Sequence, residues 1–202
     1  MLQKILSYLN KKSKDYNYCC DILGNYIYNI QSDVITRLKR VNDKYVLMTS
    51  ERGKDTIKFM SNDQDEALLM TLLLLEKNRY SNKRSELSCN DINDVMVIME
   101  HAKNSFEFAS PELNVCKDNN FSVVNIDNNY LVIFKADNKK YIVFNTQSDE
   151  LWAYQVAFNY SLELDNYYYI NKELVENHII TDELGKEYLY RFLELNKYEI
   201  LS

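Results

Sequence analysis

A segment of about 20 residues occurs twice in this chain, in the same order of apolar and turn-forming residues, at an offset of 85 positions. The first copy is NDKYVLMTSERGKDTIKFMS (42–61) and the second is DNNYLVIFKADNKKYIVFNT (127–146). Gly53 lies opposite Asn138, and glycine and asparagine most readily adopt the left-handed conformation of a hairpin turn. The sequence therefore predicts a β-hairpin in each copy. The identical positions are Tyr45, Lys54, Ile57 and Phe59, which align with Tyr130, Lys139, Ile142 and Phe144.

A helix is predicted to begin directly after each hairpin. Ser61-x-x-Gln64 and Thr146-x-x-Asp149 have the residue types and spacing of helix-capping boxes. The first helix sequence, DQDEALLMTLLLLEKNRY, is apolar on nearly all sides and is predicted to be buried. The second, SDELWAYQVAFNYSLEL, is aromatic and more amphipathic.

The remaining segments complete two similar units. VITRLKRV and FSVVNID each predict one further strand, residues 1–30 and 91–108 are predicted to be helical, and a last helix is predicted to begin near Thr181. We place the seam at Pro111, because a residue without an N–H suits a boundary. The prediction is an α+β protein of two related α-β-β-β-α units in tandem, with antiparallel hairpins and a C-terminal helix, divided into 1–108 and 109–202.

The net charge of the chain and its distribution limit the kinds of partner that the chain can bind. The chain has 24 Lys and Arg against 30 Asp and Glu, a net charge of −6. Nucleic acid binding relies on clustered cations, so a nucleic acid partner is not expected. The charge is uneven, because residues 1–108 carry 16 basic and 15 acidic side chains while residues 109–202 carry 8 and 15. The second half, at about −7, is suited to a basic partner.

The lengths of the apolar runs and the spacing of the cysteines indicate the cellular compartment. The longest apolar run, from Ala67 to Leu75, is far shorter than the roughly 18 to 20 residues of a membrane-spanning helix. The apolar stretch at the N-terminus is too short for a secretory signal, so we expect a cytoplasmic protein that crosses no membrane. The four cysteines, Cys19, Cys20, Cys89 and Cys116, have neither disulfide nor zinc-site spacing and are expected to be reduced.

Signatures of catalysis are absent from the sequence. His101 and His178 have no further ligand at a metal-binding spacing, and no glycine-rich phosphate loop or nucleophile elbow occurs. The adjacent carboxylates Asp65-Glu66 and Asp149-Glu150 are better explained as charges that complement helix dipoles. We therefore expect no catalytic residues, no metal and no cofactor.

Two segments are candidates for binding another protein. In the first hairpin, a turn needs only Gly53, so the charged pair Glu51-Arg52 ahead of it is a candidate contact site; an ordinary solvated turn is equally consistent with it. In the second half, acidic residues flank the tyrosine run 167–169, and tyrosine with a charged rim is typical of binding hot spots. The candidates there are Glu163, Asp165, Tyr167, Tyr169, Glu173 and Glu176. The alternative is an aromatic edge strand in which Tyr168 is buried while Tyr167 and Tyr169 are exposed.

The order of Tyr45, then Glu51-Arg52-Gly53, then Asp65-Glu66 before an apolar helix resembles an immunity-protein family of bacterial polymorphic toxin and contact-dependent inhibition systems. The resemblance covers about residues 42–76. It implies a small cytoplasmic protein without catalytic activity that binds a cognate toxin and blocks it. A toxin that cleaves nucleic acid would be basic, which fits the acidic second half.

Three functions remain open from the sequence. The first is the immunity protein. The second is an interaction protein of a phage or mobile element, for which a large apolar patch in a symmetric contact would be evidence. The third is a carboxylate-based hydrolase, for which a deep polar pocket with perturbed carboxylates would be evidence.

Overall fold

The computed structural model describes residues 2–13, 19–23, 26–31, 34–81, 94–195 and 198–201. The chain divides into two compact units. The first unit comprises Met1–Arg79 and Glu173–Thr181, and the second comprises Tyr80–Lys172 and Asp182–Ser202. Pro111, where the sequence analysis places the seam, lies inside the second unit.

The first unit contains a helix, five strands and a second helix. In chain order they are α1 (Leu2–Ser13), β1 (Cys19–Leu23), β2 (Tyr26–Gln31), β3 (Val34–Val41), β4 (Lys44–Glu51), β5 (Lys54–Ser61) and α2 (Gln64–Ser81). The strands form one antiparallel sheet in the order β1-β2-β3-β4-β5, so β5 lies at an edge.

The prediction of helix across residues 1–30 is wrong beyond α1. Strands β1 and β2 occupy much of that stretch and pair antiparallel. Tyrosine and isoleucine dominate YIYNIQ, and both residue types favour strands, which is the local preference that the helical interpretation overlooked.

The second unit again combines helices with a five-stranded sheet. Its elements are α3 (Val95–Ser105), β6 (Glu112–Leu113), β7 (Asn120–Ile126), β8 (Asn129–Ala136), β9 (Lys139–Gln147), α4 (Glu150–Glu176), α5 (Asp182–Phe192) and β10 (Glu199–Leu201). The last turn of α4 belongs to the first unit. The sheet order is β10-β9-β8-β7-β6, with β6 parallel to β7 and the other pairs antiparallel. The α+β class, both predicted hairpins and the C-terminal helix are confirmed.

The two hairpins pair in the same register. In the first, Leu47 pairs with Phe59 and Met48 with Ile57, so Lys58 is left as a bulge. In the second, Val132 pairs with Phe144 and Ile133 with Ile142, and the bulge falls at the equivalent residue. Every strand pair of the first hairpin has a counterpart 85 positions later, and the two hairpins follow the same path.

Four two-residue turns connect the six strands β3–β5 and β7–β9. The central residues of all four have positive φ, as in the type I′ turn that suits the twist of a hairpin. Three of the turns use only asparagine and aspartate: Asn42-Asp43, Asp127-Asn128 and Asp137-Asn138. The fourth is Arg52-Gly53, with φ values of 48° and 79°.

Aspartate caps both of the helices that follow the hairpins. Asp63 Oδ1 accepts hydrogen bonds from the backbone N–H of Asp65 (2.8 Å) and Glu66 (3.3 Å), so α2 begins at Gln64, two residues later than a Ser61 cap would place it. Asp149 Oδ1 accepts from the N–H of Trp152 at 2.9 Å. The predicted capping boxes are therefore wrong in detail, because a carboxylate nearer to the helix supplies the acceptor that the first turn needs.

Apolar side chains of the helices and central strands form the core of each unit. In the first unit α2 is buried over much of its length, as predicted, through Ala67, Leu68, Leu69, Leu72, Leu73 and Leu75. In the second unit α4 lies on the sheet, since the rings of Tyr160 on α4 and Phe121 on β7 are 5.2 Å apart. No described helix is long and apolar enough to cross a membrane.

Tyr154 on α4 makes the free energy of unfolding depend on pH in the alkaline range. Its side chain is fully buried, and its hydroxyl has no hydrogen-bond partner within the described residues. Burial, reinforced by Glu112 and Glu150, raises the pKa of Tyr154 to about 12. A raised pKa means that the folded state holds the phenolic proton more tightly, so this contribution is complete below about pH 10 and is lost as the pH rises towards 12.

We predict that Tyr154→Phe is at least as stable as the native chain at pH 7, because an unsatisfied buried hydroxyl is removed. Between about pH 10 and 12 its free energy of unfolding should fall less steeply, by up to about 1.4 kcal/mol per pH unit. Urea unfolding across this pH range measures both effects. A variant whose profile runs parallel to that of the native chain would contradict the assignment.

Candidate protein-binding surface

The tip of the β4–β5 hairpin presents the charged pair Glu51 and Arg52 to solvent. Gly53 occupies open space, so its positive φ is the reason for glycine at this position. Arg52 is less easily explained, because a long side chain in the left-handed region costs about 1 kcal/mol or more. Within the described residues no carboxylate pairs with the Arg52 guanidinium. The one arginine among the residues of the four turns is thus exposed and held in an unfavourable backbone conformation.

Strand β5 continues from this tip as an exposed edge. Its residues Lys54 to Lys58 are all exposed, and Ile57 and Met60 are 57% and 54% exposed. The bulge at Lys58 breaks the alternation that would otherwise place Ile57 and Phe59 on one face. The sequence does not predict this surface, because the apolar pattern that the two copies share is the same whether or not the strand lies at an edge. Edge placement is a property of the assembled sheet.

The tyrosine run is helical, so both interpretations of it from the sequence are wrong in part. Residues 167–169 lie within α4 and do not form an edge strand. Tyr167 is 1% exposed, and its hydroxyl donates to the carbonyl oxygen of Gly185. Tyr167 therefore packs in the core of the second unit, with its ring 4.8 Å from that of Phe192, and is not available as a contact residue.

Asp165 is also removed from the candidate surface by burial. Its side chain is fully buried, and Oδ1 accepts hydrogen bonds from the backbone N–H of Phe108 (2.6 Å) and of Ala109 (3.0 Å). The carboxylate thus ties the segment after α3 to α4. The prediction that Asp165 contacts a partner is wrong, because its acceptor capacity satisfies backbone donors inside the unit.

The other predicted contact residues keep part of their exposure. Tyr169 is half-buried, its ring lies 4.9 Å from the exposed Phe108, and its hydroxyl donates to the Glu107 carboxylate. Glu163 is half-buried and Glu176 is exposed. Glu173 forms an ion pair with Lys12 of α1. The second-half candidates are therefore spread along α4 and are not gathered into one patch.

A cavity of about 430 Å³ lies in the second unit beside the tyrosine run. Its lining includes Tyr168, Asn171 and Lys186, and also Tyr190, whose hydroxyl donates to Asp137 at the tip of the β8–β9 hairpin. Burial raises the pKa of both tyrosines. A raised pKa makes a phenol a weaker source of phenolate, the opposite of the tuning that a tyrosine acting as nucleophile or general base needs.

Metal-binding chemistry is not concentrated anywhere in the described residues. No group of three or more His, Cys, Asp or Glu side chains there is placed to hold a metal ion. His101 lies exposed on α3, and His178 is exposed in the turn after α4. Cys116 is half-buried, whereas Cys89 and the side chains of Cys19 and Cys20 lie outside the described part of the chain.

Comparisons with known proteins give no match for this chain among protein families, curated proteins or solved structures.

The strain at the hairpin tip can be measured directly. We predict that Arg52→Asn raises the free energy of unfolding by about 0.5–1 kcal/mol, because asparagine tolerates positive φ better than arginine does. Arg52→Gln is the matched control, since it removes the charge but keeps a long side chain, and it should leave stability unchanged. Urea unfolding measures both. Equal effects of the two substitutions would indicate that charge, not backbone strain, sets the difference.

The structural role of Asp165 predicts a contrast between two substitutions. Asp165→Ala should lower the free energy of unfolding by about 2–4 kcal/mol, because it leaves two backbone N–H groups unsatisfied. Asp165→Asn keeps an oxygen acceptor of the same size and should cost clearly less. If neither substitution destabilises the chain in urea unfolding, the hydrogen bonds to Phe108 and Ala109 are not important for stability.

Proposed function

We propose that this chain is an immunity protein, which binds a cognate bacterial toxin domain and neutralises it by steric occlusion without catalysis. The observation that carries the proposal is Arg52, an exposed arginine held at positive φ in the Glu51-Arg52-Gly53 turn. Folding alone gives no reason for arginine there, since asparagine or aspartate occupies the corresponding position in the other three turns. This turn is also the centre of the resemblance to the immunity family.

The contact surface that we propose extends from the Glu51-Arg52 tip along β5. Exposed apolar side chains at Ile57 and Met60 would supply buried area, and the charged tip would supply orientation and specificity. Tyr169, Glu163, Glu173 and Glu176 are secondary candidates, since each retains some exposure. We propose that the acidic second half speeds association with a basic toxin, such as a nuclease, in the cytoplasm.

We also propose that the two units descend from one duplicated α-β-β-β-α segment. The support is the shared register of β3–β5 and β7–β9, with the bulge at equivalent residues. Divergence after duplication would account for the differences between the units. Strands β1 and β2 are then additions to the first, while β6, α5 and β10 are additions to the second.

The direct test uses the reading frames that neighbour the gene. The C-terminal domain of a large neighbouring product is expressed alone, to establish that it inhibits growth, and then together with this chain. Protection, together with a stable complex of the purified proteins, is the expected result. A neighbouring toxic domain that this chain neither binds nor neutralises would contradict the proposal.

The role proposed for Arg52 gives a second prediction, which is tested on the complex of the toxin with this chain. Both Arg52→Asn and Arg52→Gln should raise the Kd by at least about tenfold, equivalent to about 1.4 kcal/mol. Arg40→Asn is the control, because it removes an exposed arginine beside the neighbouring β3–β4 turn, where the guanidinium pairs with Asp43, and it should leave the Kd unchanged. Calorimetric titration of toxin with each variant measures the effect. A Kd that is insensitive to Arg52 would move the contact surface elsewhere.

A further inference from the structure

The strand that corresponds to β5 in the second sheet is β9, and β9 is covered on its outer side by a further strand. In the second unit β10 pairs antiparallel with β9, with Glu199 opposite Ile142, Ile200 opposite Tyr141 and Leu201 opposite Lys140. Positions Lys140, Tyr141 and Ile142 correspond to Asp55, Thr56 and Ile57 of β5, because the two hairpins share one register. Among the described strands none pairs with that side of β5.

Hairpin geometry identifies the backbone groups that are available there. In a two-residue hairpin the pair that flanks the turn exchanges backbone hydrogen bonds, and bonded and non-bonded pairs then alternate. Lys54 and Thr56 therefore bond to β4, whereas the N–H and C=O groups of Asp55 and Ile57 point away from it. The corresponding outward groups of Lys140 and Ile142 are the ones aligned with β10.

We propose that β5 is a strand-addition site, where an extended segment of the partner pairs antiparallel with Asp55–Ile57 in the place that β10 takes on β9. This inference rests on the proposed function, and it identifies the part of the toxin that is recognised. Main-chain hydrogen bonds to Asp55 and Ile57 supply affinity, and side chains opposite β5 supply specificity.

The exposed side chains of β5 define the chemistry of that segment. Residues directly opposite each other in an antiparallel pair share a face, and opposite charges or apolar pairs are favourable there. Ile57 therefore selects an apolar residue, Asp55 a basic residue and Lys54 an acidic residue. Since the added strand runs antiparallel, its sequence from the N-terminus is apolar, β-branched, basic, acidic, of which Val-Thr-Lys-Glu is an example.

The test on the full chain is a titration with a capped Val-Thr-Lys-Glu peptide, followed by backbone amide NMR. We expect the amides of Asp55 and Ile57 to shift and to exchange with solvent at least about tenfold more slowly at saturation, while those of Lys54 and Thr56 change little. The control peptide Val-Thr-Glu-Lys has the same composition with its charges exchanged, and it should bind more weakly. Equal binding of the two peptides, or shifts centred on Lys140 and Ile142, would overturn the proposal.

Two variants of β5 sharpen the test. Ile57→Pro removes an outward N–H without removing a bond to β4, so the chain should fold but lose peptide binding, whereas Ile57→Val should retain it. The double variant Lys54→Glu with Asp55→Lys exchanges two exposed charges and should reverse the preference between the peptides. If that preference does not reverse, the charge pairing is wrong, even where Ile57→Pro fails to fold.

The toxin complex separates this inference from the proposed function. If the toxin binds while the amides of Asp55 and Ile57 remain unprotected, the chain is an immunity protein but β5 is not its strand-addition site. If the peptide protects those amides but no neighbouring toxin binds, the strand-addition site stands and the immunity function fails. Protection of the same two amides by both peptide and toxin is the expected result.

Discussion

The geometry of four two-residue turns sets the register of the strands on which both sheets are built. Each turn holds both central residues at positive φ, which fixes the pair of residues that flanks it and hence the register of the two strands. In a strand whose side chains alternate between faces, a shift of one residue would move every apolar side chain to the other face. The burial of Leu47 on β4 and of Val132 on β8 therefore depends on the turns as much as on hydrophobicity.

Polar groups on α4 then fix the segments around it. Asp165 satisfies two backbone donors of the segment after α3, and Tyr167 donates to the backbone of α5. Gly185 on α5 also leaves room for the side-chain amide of Asn171, which an added Cβ would overlap. These contacts explain why charged and aromatic residues that resemble a binding patch in the sequence instead serve the interior of the second unit.

The two sheets differ most at their corresponding edges. Strand β10 pairs with β9, whereas β5 ends its sheet with exposed apolar and charged side chains. Natural sheets protect such edges with lysine and with bulges, and β5 has both, at Lys54, Lys58 and the bulge itself. Such devices disfavour edge-to-edge pairing in general, and the backbone groups of Asp55 and Ile57 still point away from β4, as the proposed strand-addition site requires.

The sequence by itself determined the local elements: both hairpins, their turn positions, the helices that follow and the C-terminal helix. It could do so because turn chemistry and apolar periodicity act over a few residues. Local signals are not always sufficient, since the sequence of β1 and β2 is interpreted as helix although both segments form strands.

Only the tertiary structure decided which strand became an edge and which polar side chains were buried. Ile57 is identical to its counterpart Ile142, yet none of the described strands pairs with β5 on the side where β10 covers β9. Tyr167 and Asp165 have the composition of a surface patch, and they are buried because the helix that carries them packs against segments distant in sequence. Burial and edge position depend on such long-range contacts, and no local pattern encodes them.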